Sequence, residues 1–246
     1  MRTILFSLFG ALLLMTAGCS KNNAGTPTPD SGKGGSLARF TIVGNYMYVV
    51  NSKQLKAYDV STPGAPVFKN EVSLGWDIET IFPYDGNLFV GSSTGLYICS
   101  LADPASPKLA GQVQHLRACD PVVATGNTAY VTLRAGTGCG GTQNALMVYD
   151  VADIRVPRML RSIALSGPYG LGVSGTALYV CDGINGLLIY DISTREQPNL
   201  EDRIYGHDFR DVIPHRGVLI AQLANGVAFY DISRPRQPAL LSTLLH

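Results

Sequence analysis

Gly91-Ser92-Ser93-Thr94-Gly95 has the Gly-x-Ser-x-Gly spacing that lifts a nucleophilic serine onto a sharp strand-to-helix elbow. Gly136-Thr137-Gly138-Cys139-Gly140-Gly141 has the Gly-x-Gly-x-x-Gly spacing that brings backbone amides and a helix N-terminus against a pyrophosphate. Asp59, Asp150, Asp191 and Asp231 recur in one sequence context and could form a ring of metal ligands. His207 stands close to Asp208 and Asp211, a grouping that could exchange protons. Each chemistry requires a particular element around it, so the elements decide among them.

The elements come from a repeat. Tyr58-Asp59-Val60-Ser61 returns as Tyr149-Asp150-Val151-Ala152, Tyr190-Asp191-Ile192-Ser193 and Tyr230-Asp231-Ile232-Ser233, with a degraded copy at Cys99-Ser100-Leu101-Ala102. A proline follows each at Pro66, Pro107, Pro157, Pro198 and Pro238. The copies start 41, 50, 41 and 40 residues apart, a period that marks a repeat architecture. Within one copy, β-rich runs such as Ala177 to Cys181 and Leu187 to Ile192 alternate with tight turns such as Asn185-Gly186. Four short strands per unit make the blade of a β-propeller. The expected fold is therefore all-β, with five four-stranded blades at about 37–74, 75–115, 116–165, 166–206 and 207–246. No strand is left over to lock the ring by swapping between the first and last blades, so an open arc completed by self-association is an alternative.

Against that frame the enzyme-like motifs lose their context. The Gly-x-Ser-x-Gly segment falls on a hairpin, and the glycine-rich segment is followed by a strand, Leu146 to Val151. The repeated aspartates end the third strand, before a turn whose amides their carboxylates can accept, and four equivalent blades hold them far apart. Tyr58, Tyr149, Tyr190 and Tyr230 beside them are expected to pack between blades.

Gly44-Asn45-Tyr46-Met47-Tyr48-Val49 and Gly186-Leu187-Leu188-Ile189-Tyr190-Asp191-Ile192-Ser193 resemble the LVIVD-repeat proteins. The resemblance covers 37–246 and departs at Cys99 and Ser100. It implies a secreted or surface β-propeller, often a lipoprotein, with no established chemistry.

Function should lie where the copies differ. The segments entering each first strand vary most and converge on one mouth of the channel. Trp76, Asp77, Arg117, Asp120, Tyr169, His207, Asp208, Arg210 and Asp211 lie on or beside them and form the candidate ligand or partner surface. The longer third copy carries an insertion of about nine residues on the same face, and a Cys119–Cys139 disulfide is expected to pin it. Cys99 and Cys181 are expected to be buried free thiols. No Cys or His pair has metal-ligand spacing, so neither metal nor cofactor is expected.

The N-terminus reads as a targeting segment: Arg2, an apolar run from Ile4 to Met15, then Thr16-Ala17-Gly18 before Cys19. That end resembles the bacterial lipoprotein lipobox, which implies cleavage after residue 18 and lipidation of Cys19. Residues 19–36 read as a flexible tether. An outer-membrane lipoprotein facing the periplasm is the first expectation, with surface display second. Loss of Arg2 leaves 18 basic residues of the original 19 against 18 acidic ones, so no basic surface points to nucleic acid. The expected role is a non-enzymatic scaffold binding a protein, peptide or glycan. The alternatives are a glycan hydrolase or lyase using Asp77, Asp120, Asp208 or Asp211, and a self-associating envelope component.

Overall fold

A computed structural model describes residues 35–114, 121–137 and 141–246, and these contain twenty strands and no helix. Blade one is β1 (Phe40–Val43), β2 (Tyr46–Val50), β3 (Gln54–Asp59) and β4 (Val67–Ser73). Blade two is β5 (Ile78–Tyr84), β6 (Asn87–Ser92), β7 (Gly95–Ser100) and β8 (Lys108–Gln114). Blade three is β9 (Val122–Thr125), β10 (Thr128–Leu133), β11 (Ala145–Asp150) and β12 (Arg158–Ala164). Blade four is β13 (Leu171–Ser174), β14 (Ala177–Cys181), β15 (Leu187–Asp191) and β16 (Asn199–Ile204). Blade five is β17 (Phe209–His215), β18 (Val218–Leu223), β19 (Gly226–Asp231) and β20 (Ala239–Leu245). Each blade is one antiparallel sheet of four consecutive strands, and among the described residues no strand is exchanged between blades. The five-blade expectation holds.

Local chemistry explains the hairpins. Gly44, Gly126 and Gly175 take φ of 58°, 55° and 58° at the first turn position between first and second strands. Blades two and five use Asp85-Gly86 and Arg216-Gly217 instead, with positive φ at both residues, so the second turn falls one residue before Gly86-Asn87. Both solutions match the right-handed twist of the flanking strands. In every blade the third-to-fourth ladder slips register just before the repeated Tyr or Cys, at Ala57/Tyr58, Ile98/Cys99, Val148/Tyr149, Ile189/Tyr190 and Phe229/Tyr230. A bulge there bends the outer strand and adds twist.

Four apolar clusters join blade one to two, two to three, three to four, and four to five. Among the described residues none joins blade five to blade one. The burial of the strands says the same: β10 and β14 are buried at every position, whereas β2, β3, β18 and β19 are covered mainly on alternate residues. The blades therefore form an arc with two free sheet faces. Each junction carries an added tyrosine bond: Tyr48, Tyr130 and Tyr179 donate their hydroxyls to the carbonyls of Pro104, Arg195 and Pro235 on the next blade, and between blades two and three the Tyr84 hydroxyl accepts from the Gly126 amide (2.6 Å).

The folded part begins before the expected end of the tether. Ser36 is 1% exposed and sits across the channel from its own blade. Its hydroxyl donates to Asp211 Oδ1 of blade five (3.1 Å) and accepts from the Leu171 amide of blade four (2.8 Å). Two residues on, the Ala38 carbonyl accepts from the Ile81 amide of blade two (2.9 Å). A cavity of about 590 Å³ lies beside this strut, lined by Phe82, Tyr84, Val123, Val173 and Pro214 toward the mouth opposite the entering segments.

Candidate functional site

The entering segments and the loops after the second strands meet at one mouth, where two clusters form. The larger draws on three blades. Tyr169, at the entrance to blade four, is fixed by its amide to the Cys181 carbonyl (2.7 Å) and by its carbonyl, which accepts from Thr132 Oγ1 of blade three (2.6 Å). Arg134 of blade three and Arg210 of blade five both lie against its ring, with guanidinium carbons 3.5 and 4.2 Å from the centroid. The Arg210 guanidinium donates a short bond to Asp208 Oδ2, while Asp208 Oδ1 is buried without a partner. Burial pulls both guanidinium pKa values down, and mutual repulsion adds to that at Arg210. Two cations and one carboxylate around a single ring leave the cluster net positive. Asp182 shapes the loop below it by accepting from the Ser166 and Gly167 amides (3.1 and 2.7 Å).

The smaller cluster spans blades one and two. Trp76 is 66% exposed, and Lys53 Nζ lies 4.0 Å above its ring. Asp77 follows in a left-handed conformation, φ 52°, and accepts from Ser93 Oγ (3.2 Å). The structure thus brings Tyr169, Asp208 and Arg210 together and holds Trp76 with Asp77 separately. His207 stacks edge-on to Phe209 with centroids 5.9 Å apart. Asp211 is not at the mouth: it lies inside the channel on Ser36, and burial raises its carboxyl to about 6. Arg117, Asp120, Cys119, Cys139 and Cys19 lie outside the described residues. Sequence reasoning missed Arg134 and Lys53. Both follow a second strand, on the loops that share this face with the entering segments, and that placement is the signal that could have found them.

The other motifs resolve into scaffold. Ser92 and Ser93 are buried, and Ser92 Oγ donates to the Gly95 carbonyl in the β6–β7 turn. Asp59, Asp150, Asp191 and Asp231 each accept the amide two residues on, at 2.8 to 3.0 Å. Those turn bonds, with Lys69, Arg158 and Arg236 nearby, hold Asp59, Asp150 and Asp191 below the usual carboxylate range. Tyr149, Tyr190 and Tyr230 are buried between blades, but Tyr58 is only half-buried because no blade among the described residues covers the outer face of blade one. Cys99 and Cys181 are buried free thiols whose pKa burial raises. Among the described residues no three His, Cys, Asp or Glu side chains cluster to hold a metal.

The LVIVD repeat model matches residues 34–73 and 157–204. Those two segments are LVIVD repeats, and the fold that carries them is a β-propeller. No curated protein matches this LVIVD-repeat chain by sequence. Solved structures share its fold. It is similar to a computationally designed protein, Ika8, at 12% identity and TM-score 0.62, over 83% of this chain and 60% of that one. It is similar to BamB from Moraxella catarrhalis at 14% identity and TM-score 0.58, over 76% of this chain and 56% of that one. The periplasmic gluconolactonase PpgL of Pseudomonas aeruginosa matches at 13% identity and TM-score 0.64, over 82% of this chain and 69% of that one. The LVIVD-repeat chain thus spans about 60% of the length of the first two relatives, and identities this low show fold alone.

Proposed function

We propose that this protein is a non-enzymatic binding scaffold of the cell envelope, held to the membrane by lipid on Cys19 and recognising a protein, peptide or glycan through the mouth built around Tyr169. One observation carries the reading: three blades contribute Arg134, Tyr169, Arg210 and Asp208 to a single cation–aromatic cluster. Arginine and aromatic side chains of this kind anchor recognition surfaces. The three described aspartates of the hydrolase alternative are each engaged elsewhere, Asp208 by Arg210, Asp77 by Ser93 and Asp211 by Ser36. The cysteine after Ala17-Gly18 and the periplasmic address of the gluconolactonase neighbour support the envelope location.

The test is affinity purification from solubilised envelopes, with glycan-array probing of the same protein. Trp76→Ala/Arg210→Ala is expected to lower retention of the bound species by at least about tenfold, the loss of one or two anchoring side chains. Identical retrieval by wild type and variant, or a ligand that maps elsewhere, overturns the reading. Metabolic labelling with a palmitate analogue checks the anchor: Cys19→Ala must abolish incorporation.

A further inference from the structure

Arg134 and Arg210 lie against the same ring, but the protein satisfies only one of them. Arg210 donates to Asp208 Oδ2. Arg134 has the Tyr169 ring against its guanidinium and, among the described residues, neither a hydrogen bond nor an ion pair. The charge that supports it is Asp208, a carboxylate already committed to Arg210. Arg134 stands one residue beyond β10 and is half-buried, and that burial lowers its pKa. A guanidinium carries five N–H donors and no acceptor, so removing its water without supplying a partner is unfavourable.

Charge and shape narrow the missing acceptor. Two guanidiniums and the Asp208 carboxylate leave one net positive charge around the ring. Asp182, below them, is buried with its carboxylate on the Ser166 and Gly167 amides. Asp77 and Lys53 belong to the separate cluster with Trp76. A single carboxylate therefore balances the site, whereas a phosphate, close to a dianion at neutral pH, would set a second negative charge beside Asp208. A guanidinium is planar, and its paired donors match the two oxygens of a carboxylate.

The acceptor inventory narrows it further. Sugar hydroxyls bring donors that need acceptors, and those around the ring are engaged: Asp208 Oδ2 by Arg210, Asp182 by amides and the Tyr169 carbonyl by Thr132. Asp208 Oδ1 has no partner but is buried. The Tyr169 ring already carries two guanidinium groups, so it offers no open platform for a sugar face. A carboxylate side chain asks only for donors.

We propose that Arg134, backed by Tyr169 and flanked by Arg210, receives the carboxylate of an aspartate or glutamate in a peptide segment of the partner. This rests on reading the mouth as a binding surface and adds the chemistry of what is bound there. Tyr169 holds the guanidinium in place before the ligand arrives, so little side-chain freedom is lost on binding.

The probe is the capped peptide Glu-Gly-Glu-Gly-Glu-Gly, titrated to about 5 mM against the detergent-solubilised full chain by microscale thermophoresis at fixed ionic strength. The expected result is binding at least about tenfold tighter than that of the Gln-Gly-Gln-Gly-Gln-Gly peptide. Arg134→Gln is expected to erase that preference, and Arg134→Lys, which keeps the charge and loses the fork, to restore only part of it. Both variants are expected to keep the wild-type thermal transition by circular dichroism, because the side chain lies on a loop at the mouth. A glutamate peptide that binds no better than its glutamine twin overturns the proposal, as does a preference indifferent to Arg134→Gln. Tighter Arg134-dependent binding of tri-galacturonate, or of inorganic phosphate, overturns it in favour of a glycan or a phosphate. Affinity purification from envelopes separates this from the broader reading. Retrieval that Trp76→Ala/Arg210→Ala lowers and Arg134→Gln leaves unchanged sinks the carboxylate assignment and leaves the scaffold standing.

Discussion

Blades three and one are built on the same pattern and end in different surroundings. Tyr149, in blade three, is 1% exposed, between blades two and three; Tyr58, in blade one, stands at the same repeat position with no blade beyond it among the described residues. The repeat therefore specifies a sheet, while burial comes from the neighbour. In a linear array of this kind stability is approximately a sum of unit and junction contributions, and terminal units lack one junction each.

The largest expected break of that comparison is truncation at the repeated tyrosine. Tyr190→Ala, between blades three and four, should destabilise by about 3–5 kcal/mol, the usual cost of emptying a buried aromatic site. Tyr58→Ala should cost less than about 1.5 kcal/mol, because its site is open and solvent can fill the gap. Urea denaturation measures both, and equal losses would mean that blade one is covered after all.

Asp211 supplies the next effect, since it is the residue through which the lead-in to blade one holds blade five. Its raised carboxyl, about 6, means that the folded state binds the proton more tightly than the unfolded state. The stabilisation is therefore complete below about pH 4 and lost as pH rises through about 6, on the order of 3 kcal/mol in total. Asp211→Asn keeps an acceptor for Ser36 and removes the titration. Relative to the variant, wild type is expected to lose stability between pH 4 and 7. Parallel stability curves would show that burial does not shift this carboxyl.

The smallest effect is the sharpest comparison. Tyr179→Phe removes one hydroxyl bond to the Pro235 carbonyl and should cost about 1 kcal/mol. Ile220→Tyr restores that side chain at the end of the arc and should return nothing. A gain would place an acceptor beyond blade five.

Much of this was legible in the sequence. The ruler of Tyr-Asp and proline gave the five blades, and the Asp-to-turn bonds followed from where the aspartates stand relative to Ser61 and its counterparts. The mouth was legible as a location but not as a contact set. Arg134 pairs with a ring 35 residues away only because blades three and four are adjacent at one height, which no local pattern encodes. Asp211 was misplaced for a related reason. It lies near His207 and Asp208 in sequence, yet β17 begins between them and carries Asp211 down into the channel. Ser36 was read as tether because its neighbours are Gly and Ser; its burial depends on blades four and five, more than a hundred residues later.

That serine has a mechanical consequence. A pull on the residues before Gly35 does not reach the edge of blade one first. It is borne across the axis by Ser36 on Asp211 and Leu171, and by Ala38 on Ile81. Load applied at the N-terminus is thus shared among blades two, four and five, and the arc resists being peeled open from its N-terminal end.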